Sequence, residues 1–180
     1  MAIREILKYP DPRLKRPSKQ LEKLTDATLR LTRDLLDTMY AAPGVGLAAP
    51  QVGLPERVIV VDAGYTERKR SPICLVNPEI VIAEGEITWE EGCLSVIDYI
   101  ANVNRRAYVK VRGLDLRENE IEVDGEGLLA VVLQHEIDHL DGKLFVDRIS
   151  RLKRDLYTKR LIKGIKMGKK SAQSVSDLMI

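Results

Sequence analysis

At 180 residues, 44% hydrophobic and 31% charged, the chain fits one globular domain with a sizeable core; disordered, collagen-like and multi-domain proteins are excluded. Its formal charge of +2 hides an uneven distribution, because residues 1–150 carry 20 Lys and Arg against 25 Asp and Glu, while residues 151–170 carry nine basic residues and one acid. The opening Met1-Ala2-Ile3-Arg4-Glu5-Ile6-Leu7-Lys8 has no apolar signal core, and no run approaches the roughly 18 apolar residues of a membrane span. A cytoplasmic location is therefore expected, with Cys74 and Cys93 as free thiols.

In chain order, Leu24-Thr25-Asp26 predicts a staple and N-cap opening a helix whose buried stripe is Ala27, Leu31, Leu35 and Met39. That helix is expected to stop near Ala42, before Pro43-Gly44. The β-branched run Arg57 to Asp62 predicts a strand, and further strands are expected over Ile73 to Ala83 with a break at Asn77-Pro78, Glu86 to Glu91, Ile100 to Arg112, and Glu120 to Val123. A second helix is predicted from about Gly125 to Leu140, capped by Asp124 and ended by Gly142. A final helix from near Ser150 would carry Leu152, Leu156 and Ile162 on its apolar side and fade around Gly164. Strands clustered between helices, without βαβ alternation, predict an α+β fold: mostly antiparallel sheets packed around a central helix, with an N-terminal and a C-terminal helix. A single domain is expected over residues 1–166, with a basic, disordered tail at 167–180.

The second helix carries both histidines of the chain, in His135-Glu136-Ile137-Asp138-His139. At i and i+4 two imidazoles project from one helical face and can share a metal ion, and Glu136 is close enough to act as its general base. Leu128, Val131 and Val132 lie seven, four and three residues before His135, so they form an apolar wall beside the metal as well as core. Two histidines need a third protein ligand, for which Cys93 and several carboxylates compete. Cys93 is preferred: Gly92 in Glu91-Gly92-Cys93-Leu94-Ser95 permits an unusual backbone turn, whereas Cys74 lies in the apolar run Ile73-Cys74-Leu75-Val76 and reads as buried.

The Gly44-x-Gly46-x-x-Ala49 pattern superficially matches a dinucleotide fingerprint, but it follows a helix, Pro50 interrupts the next one, and no βαβ unit surrounds it. Glycines there suit close approach of backbone to a substrate, with Gln51 offering an amide at the same place.

Together, Gly44-Val45-Gly46-Leu47-Ala48-Ala49-Pro50-Gln51, Glu91-Gly92-Cys93-Leu94-Ser95 and Gln134-His135-Glu136-Ile137-Asp138-His139, in this order, resemble the peptide deformylase family, over about residues 5–148. The resemblance implies removal of the formyl group from N-formylmethionine on new polypeptides, with release of formate. It implies Cys93, His135 and His139 as metal ligands, Glu136 as acid/base, and Gln51 with the Leu94 backbone N–H as oxyanion donors. It also implies Fe²⁺ as the physiological metal, with Zn²⁺ or Ni²⁺ able to occupy the same ligands. Leu128, Val131 and Val132 resemble the wall of the methionine pocket, and Val45 and Gly46 the backbone partners of an extended peptide.

Where the family has prolines, this chain has Ile97 and Asn104, which leaves that loop less constrained. Arg105 is expected to pair with Asp138 in support of the metal helix. The basic C-terminal helix reads as a solvated surface helix, or as an electrostatic foothold on the ribosome from which nascent chains emerge. A zinc peptidase of the HExxH type would use the same helix but leaves Cys93 and Gln51 without a place. A non-enzymatic metal- or RNA-binding module leaves Glu136 and Gln51 unexplained.

Overall fold

The computed structural model describes residues 2–64 and 70–166, with side chains to residue 164. Helix α1 (Asp26–Ala41) begins as expected at Thr25, whose hydroxyl accepts from the Thr28 N–H while Thr28 reciprocates. Its inward residues are Leu31, Leu35 and Met39, but Ala27 is exposed and Thr28 takes the place expected for it. The first turn is oriented by the Thr25–Thr28 exchange, which rotates residue 28 toward the core. Thr32 and Thr38 are also buried, and each donates its hydroxyl to the carbonyl four residues back.

Seven strands follow: β1 (Gly46–Ala48), β2 (Val58–Val61), β3 (Ile73–Glu84), β4 (Ile87–Cys93), β5 (Val96–Arg105), β6 (Tyr108–Leu114) and β7 (Glu120–Glu126). Five form one sheet in the order β1-β2-β3-β6-β7 and the other two form a hairpin, every pairing antiparallel. Val58 and Val60 of β2 pack toward α1, whereas Ile59 and Val61 pack toward helix α2 (Gly127–Leu140). Burial on both faces explains why this strand reads as an unbroken apolar run. The expected break at Asn77-Pro78 is a register shift within β3, where Asn77 turns to φ 52° and its amide exchanges hydrogen bonds with the Leu21 backbone.

The strand expected over Ile100 to Arg112 is instead two strands in different sheets, β5 and β6. The chain changes sheets around Arg106, whose backbone is paired by a side chain: Arg106 N–H donates to Gln134 Oε1 at 3.0 Å, and Gln134 Nε2 donates to the Arg106 carbonyl at 2.9 Å. The amide of Gln134 thus replaces a neighbouring strand. Asp124 does not cap α2. It lies in β7, which pairs with β6 as far as Glu126–Tyr108, and it takes hydrogen bonds or ion pairs from Tyr108 and Lys110. Gly142 does end α2, with φ 71° and no room for a Cβ, which would lie 2.6 Å from the Lys15 carbonyl.

Helix α3 (Arg151–Lys166) opens near Ser150 as expected, but its inward face differs. Leu152, Leu156 and Ile162 are exposed, and Tyr157 is buried. Tyr157 stacks on Tyr99 with centroids 4.4 Å apart and donates to the Ile97 carbonyl at 2.9 Å; Tyr9 meets the neighbouring Thr158 hydroxyl at 3.0 Å. Aromatic stacking plus a satisfied hydroxyl outweighs the burial of two leucines as the reason for this orientation. No helix among the described residues is long and apolar enough to cross a membrane. The tail expected at 167–180 lies outside the described residues. Tyr157→Ala is expected to lower stability by about 2–4 kcal/mol, and Leu152→Ala to change it by less than about 0.5 kcal/mol, as read from urea unfolding midpoints; equal effects would contradict this docking.

Candidate metal centre

Helix α2 is buried from Ala130 through Leu140, so its ionisable residues enter the core on a helix that cannot turn them out to water. His135 and His139 stand one turn apart with ring centroids at 5.0 Å. Strand β4 alternates Ile87, Trp89, Glu91 and Cys93 inward, and a register irregularity between Glu91 and Cys93 sets Cys93 against the helix. Gly92 sits in that irregularity without a positive φ; the tight turn falls on Leu94 and Ser95. Cys93 Sγ lies 3.2 Å from His139 Nε2, and the donor atoms of Cys93, His135 and His139 all fall within 4.8 Å of one another.

Around this trio the polar groups are tightly ordered. His135 Nδ1 contacts Glu91 Oε2 at 2.8 Å, which leaves its Nε2 as the ring nitrogen available for coordination. Arg105 holds Glu91 through two hydrogen bonds and reaches Asp138 at 2.5 Å, so the expected Arg105–Asp138 pair is present; Arg148 also holds Asp138. Burial alone would raise the Glu91 carboxyl, but Arg105 and His135 outweigh it and hold it below its ordinary range. Burial opposes a charged His135 as well, yet Cys93 and Glu91 together push its pKa well upward. His139 goes the other way, lowered by burial and by its neighbour His135.

Gln51 comes from the 3-10 turn Ala49–Val52 after β1. Its Oε1 accepts from the Ala48 N–H at 2.8 Å, and its Nε2 donates to Ser95 Oγ at 3.1 Å and faces Cys93 Sγ at 3.7 Å. Leu94 is buried beside it in the turn. Glu136 is buried, and burial raises its carboxyl to about 7. A Cβ on Gly46 would lie 2.3 Å from Glu136 Oε1, so only glycine lets β1 pass this close to the carboxylate. Val45, the residue before β1, is buried, and the same hypothetical Cβ on Gly46 would lie 2.9 Å from Val132 Cγ1. Val131 and Val132 are wholly buried in the core cluster with Val45, and Leu128 at its edge is partly exposed.

Ile97 and Asn104, expected in a loosely constrained loop, lie instead in strand β5, where Asn104 accepts from Thr88 at 2.9 Å. Sequence reasoning missed Glu91 and Ser95. The inward alternation of Ile87, Trp89, Glu91 and Cys93 was a usable signal for Glu91, whereas nothing local marks Ser95.

The residues present suit a divalent metal. One thiolate and two imidazoles form a donor set that leaves a coordination position open. Glu136 Oε2 and His139 Nδ1 are buried without a hydrogen-bond partner among the described residues, and an occupied site offers the carboxylate oxygen a partner. Three convergent side chains that could hold one metal, beside a buried carboxylate of raised pKa, are the arrangement of a mononuclear metallohydrolase.

Residues 3–155 match the polypeptide deformylase family, and the chain belongs to it. A peptide deformylase of Syntrophobacter fumaroxidans is 48% identical over 92% of this chain and 98% of its own length. The crystal structure of a peptide deformylase from Legionella pneumophila superposes with a TM-score of 0.86 at 46% identity, covering 94% of this chain and 99% of that one. A Met-Ala-Ser-bound peptide deformylase from Acinetobacter baumannii superposes at 0.77 with 35% identity, over 82% and 99%.

Because the folded pKa of Glu136 is raised, its stability contribution is complete below the ordinary carboxyl value and is lost as pH rises through about 7. In metal-free protein Glu136→Gln is therefore expected to leave Tm unchanged at pH 4 and to raise it at pH 8; a gain of the same size at both would contradict the burial argument.

Proposed function

We propose that this enzyme hydrolyses the formamide of N-formylmethionyl peptides and nascent chains, releasing formate and a free α-amine. The observation that carries the reading is the meeting of Glu136, Gln51 and the Cys93–His135–His139 trio in one buried place, within a chain of this family. Met-Ala-Ser, the peptide bound to the Acinetobacter relative, is what such a reaction leaves behind.

In this reading Cys93, His135 and His139 hold one divalent metal. When bound, it supplies Lewis acidity that brings hydroxide within reach of neutral pH. Glu136 accepts the proton of the attacking water and returns it to the departing amine, a task suited to a carboxyl near 7. Gln51 Nε2 donates to Ser95 Oγ and also reaches Cys93 Sγ at 3.7 Å; its second N–H turns from the sulfur to the oxyanion, which it stabilises with the Leu94 backbone N–H. β1 lies at the edge of its sheet, so an extended peptide can add to it beside Val45 and Gly46, with its first side chain toward Leu128, Val131 and Val132. Fe²⁺ is the physiological metal, and Zn²⁺ or Ni²⁺ can replace it because imidazole accepts all three. Residues 1–166 serve as one catalytic unit, acting in the cytoplasm where formylated chains are made.

Formate release from formyl-Met-Ala-Ser tests this. Intact enzyme is expected to be active, with kcat/KM falling in acid as Glu136 takes up a proton, at a pH below that of the metal-free carboxyl because a bound divalent cation favours its ionised form. Glu136→Ala is expected to lose at least about 100-fold, as removal of an acid/base group does. Gly46→Ala should lower kcat by displacing the carboxylate. Proteolysis without formate release would favour a peptidase.

The outward face of α3 supports a second partner, the ribosome. Lys159, Arg160 and Lys163 are exposed on a helix anchored by Tyr157. Reversing these three charges is expected to weaken ribosome association in a salt-dependent way and to spare turnover of the short peptide; unchanged association would remove this partner.

A further inference from the structure

The segment Leu7-Lys8-Tyr9 crosses the outside of the site and touches both of its loops. Leu7 N–H donates to the Gln51 carbonyl at 2.7 Å, and Tyr9 N–H donates to the Ser95 carbonyl at 2.7 Å. Between these two clamps Lys8 Nζ donates to the Leu94 carbonyl at 2.6 Å. That oxygen belongs to the same peptide group as the Ser95 N–H, which in turn donates to Cys93 Sγ at 3.4 Å. Lysine nitrogen, peptide group and sulfur therefore form one directed series.

A donor on a peptide oxygen draws electron density toward that oxygen and makes the N–H at the other end a stronger donor. Hydrogen bonds in series reinforce each other by roughly 10–30% per bond. We propose that Lys8 is a positioning residue for Cys93: by polarising the Leu94–Ser95 peptide it strengthens the N–H···S bond that aims the sulfur and limits its electron donation to a metal. The inference rests on the reading of Cys93 as a ligand.

An ordinary surface lysine leaves its nitrogen in water, whereas this one is half-buried and spends a short hydrogen bond on a single carbonyl. Burial lowers its pKa, as suits a nitrogen drawn out of water toward the Leu94 carbonyl. Its own backbone is fixed as well, since the Lys8 carbonyl accepts from the Asp11 N–H at 2.9 Å. A thiolate hydrogen bond stabilises the sulfur donor orbitals, so its weakening moves thiolate-to-metal charge transfer to lower energy.

The test loads wild type, Lys8→Met and Lys8→Arg with Co²⁺ and records the thiolate-to-metal charge-transfer band, with Co²⁺ affinity measured against a chelator. Lys8→Met keeps the stem and removes the donor; it is expected to shift the band to lower energy and to weaken Co²⁺ binding about tenfold, at the lower end for an outer-shell partner. Lys8→Arg, which can still donate, is expected to restore most of both, a rescue that loss of packing alone does not predict. A band present in wild type but unmoved in Lys8→Met overturns the relay and leaves the ligand assignment standing. Absence of any such band in wild type overturns the ligand assignment and the relay with it. Should Lys8→Met not fold, ¹¹³Cd-loaded wild type decides: scalar coupling between the Ser95 amide proton and the metal through Cys93 Sγ is expected, and its absence overturns the proposal.

Discussion

Arg105 is the group on which the rest of the site depends. It is buried at the end of β5, and its guanidinium joins Glu91 of β4 to Asp138 of α2. Such a network is a poor source of net stability, because taking these ions out of water costs about as much as their attraction returns. Its value is geometric. Glu91 fixes the ring of His135, Asp138 belongs to the same turn as His139, and Cys93 follows Glu91 by two residues. One planar cation thus sets the distance between the hairpin that brings the sulfur and the helix that brings the imidazoles. Only a fork with several rigid donors can hold two carboxylates at once, so lysine would not substitute.

That coupling explains which parts of the site are legible in the chain. The histidine–glutamate spacing is local, and helical periodicity alone places both rings on one face. Cys93 and Gln51 come forward as candidates from their glycine-containing surroundings, but their joint roles come only through resemblance to a family, since no spacing rule joins residues 51, 93 and 135. Ser95 and Lys8 matter only because strands and an N-terminal segment meet at a turn, and long-range meeting leaves no periodic trace. The same holds for the misread boundary at Asp124. A capping residue before an apolar run is a fair helix start, but pairing of β7 with β6 through Glu126 commits Asp124 to a strand.

The C-terminal helix shows the opposite error, a pattern read correctly as helical and wrongly as to face. Leucines at i and i+4 form a credible apolar stripe, yet a short helix packs where its best partner stands. Tyr157 finds Tyr99, Tyr99 stacks on Phe145, and Phe145 in turn stacks on His135. An aromatic stack therefore runs from α3 to the His135 ring, while the basic and leucine-bearing face is exposed. Packing falls on one side of this helix and the exposed basic residues on the other, which lets the outer side change without disturbing the inner one.

Four buried side-chain polar atoms lack a partner among the described residues, and two of them, Glu136 Oε2 and His139 Nδ1, belong to the site. An unsatisfied buried carboxylate costs about 1–3 kcal/mol or more, and a fold optimised for stability alone would remove it. Here the space for it is made deliberately: β1 carries glycine at residue 46, where any Cβ would strike the Glu136 oxygen. β1 is also an edge of the five-stranded sheet, so the strand that makes room for Glu136 is one whose outer side pairs with no other strand among the described residues. On the proposed function, substrate alignment and proton transfer are therefore referred to the same three residues of backbone, and a shift in that strand would move both together.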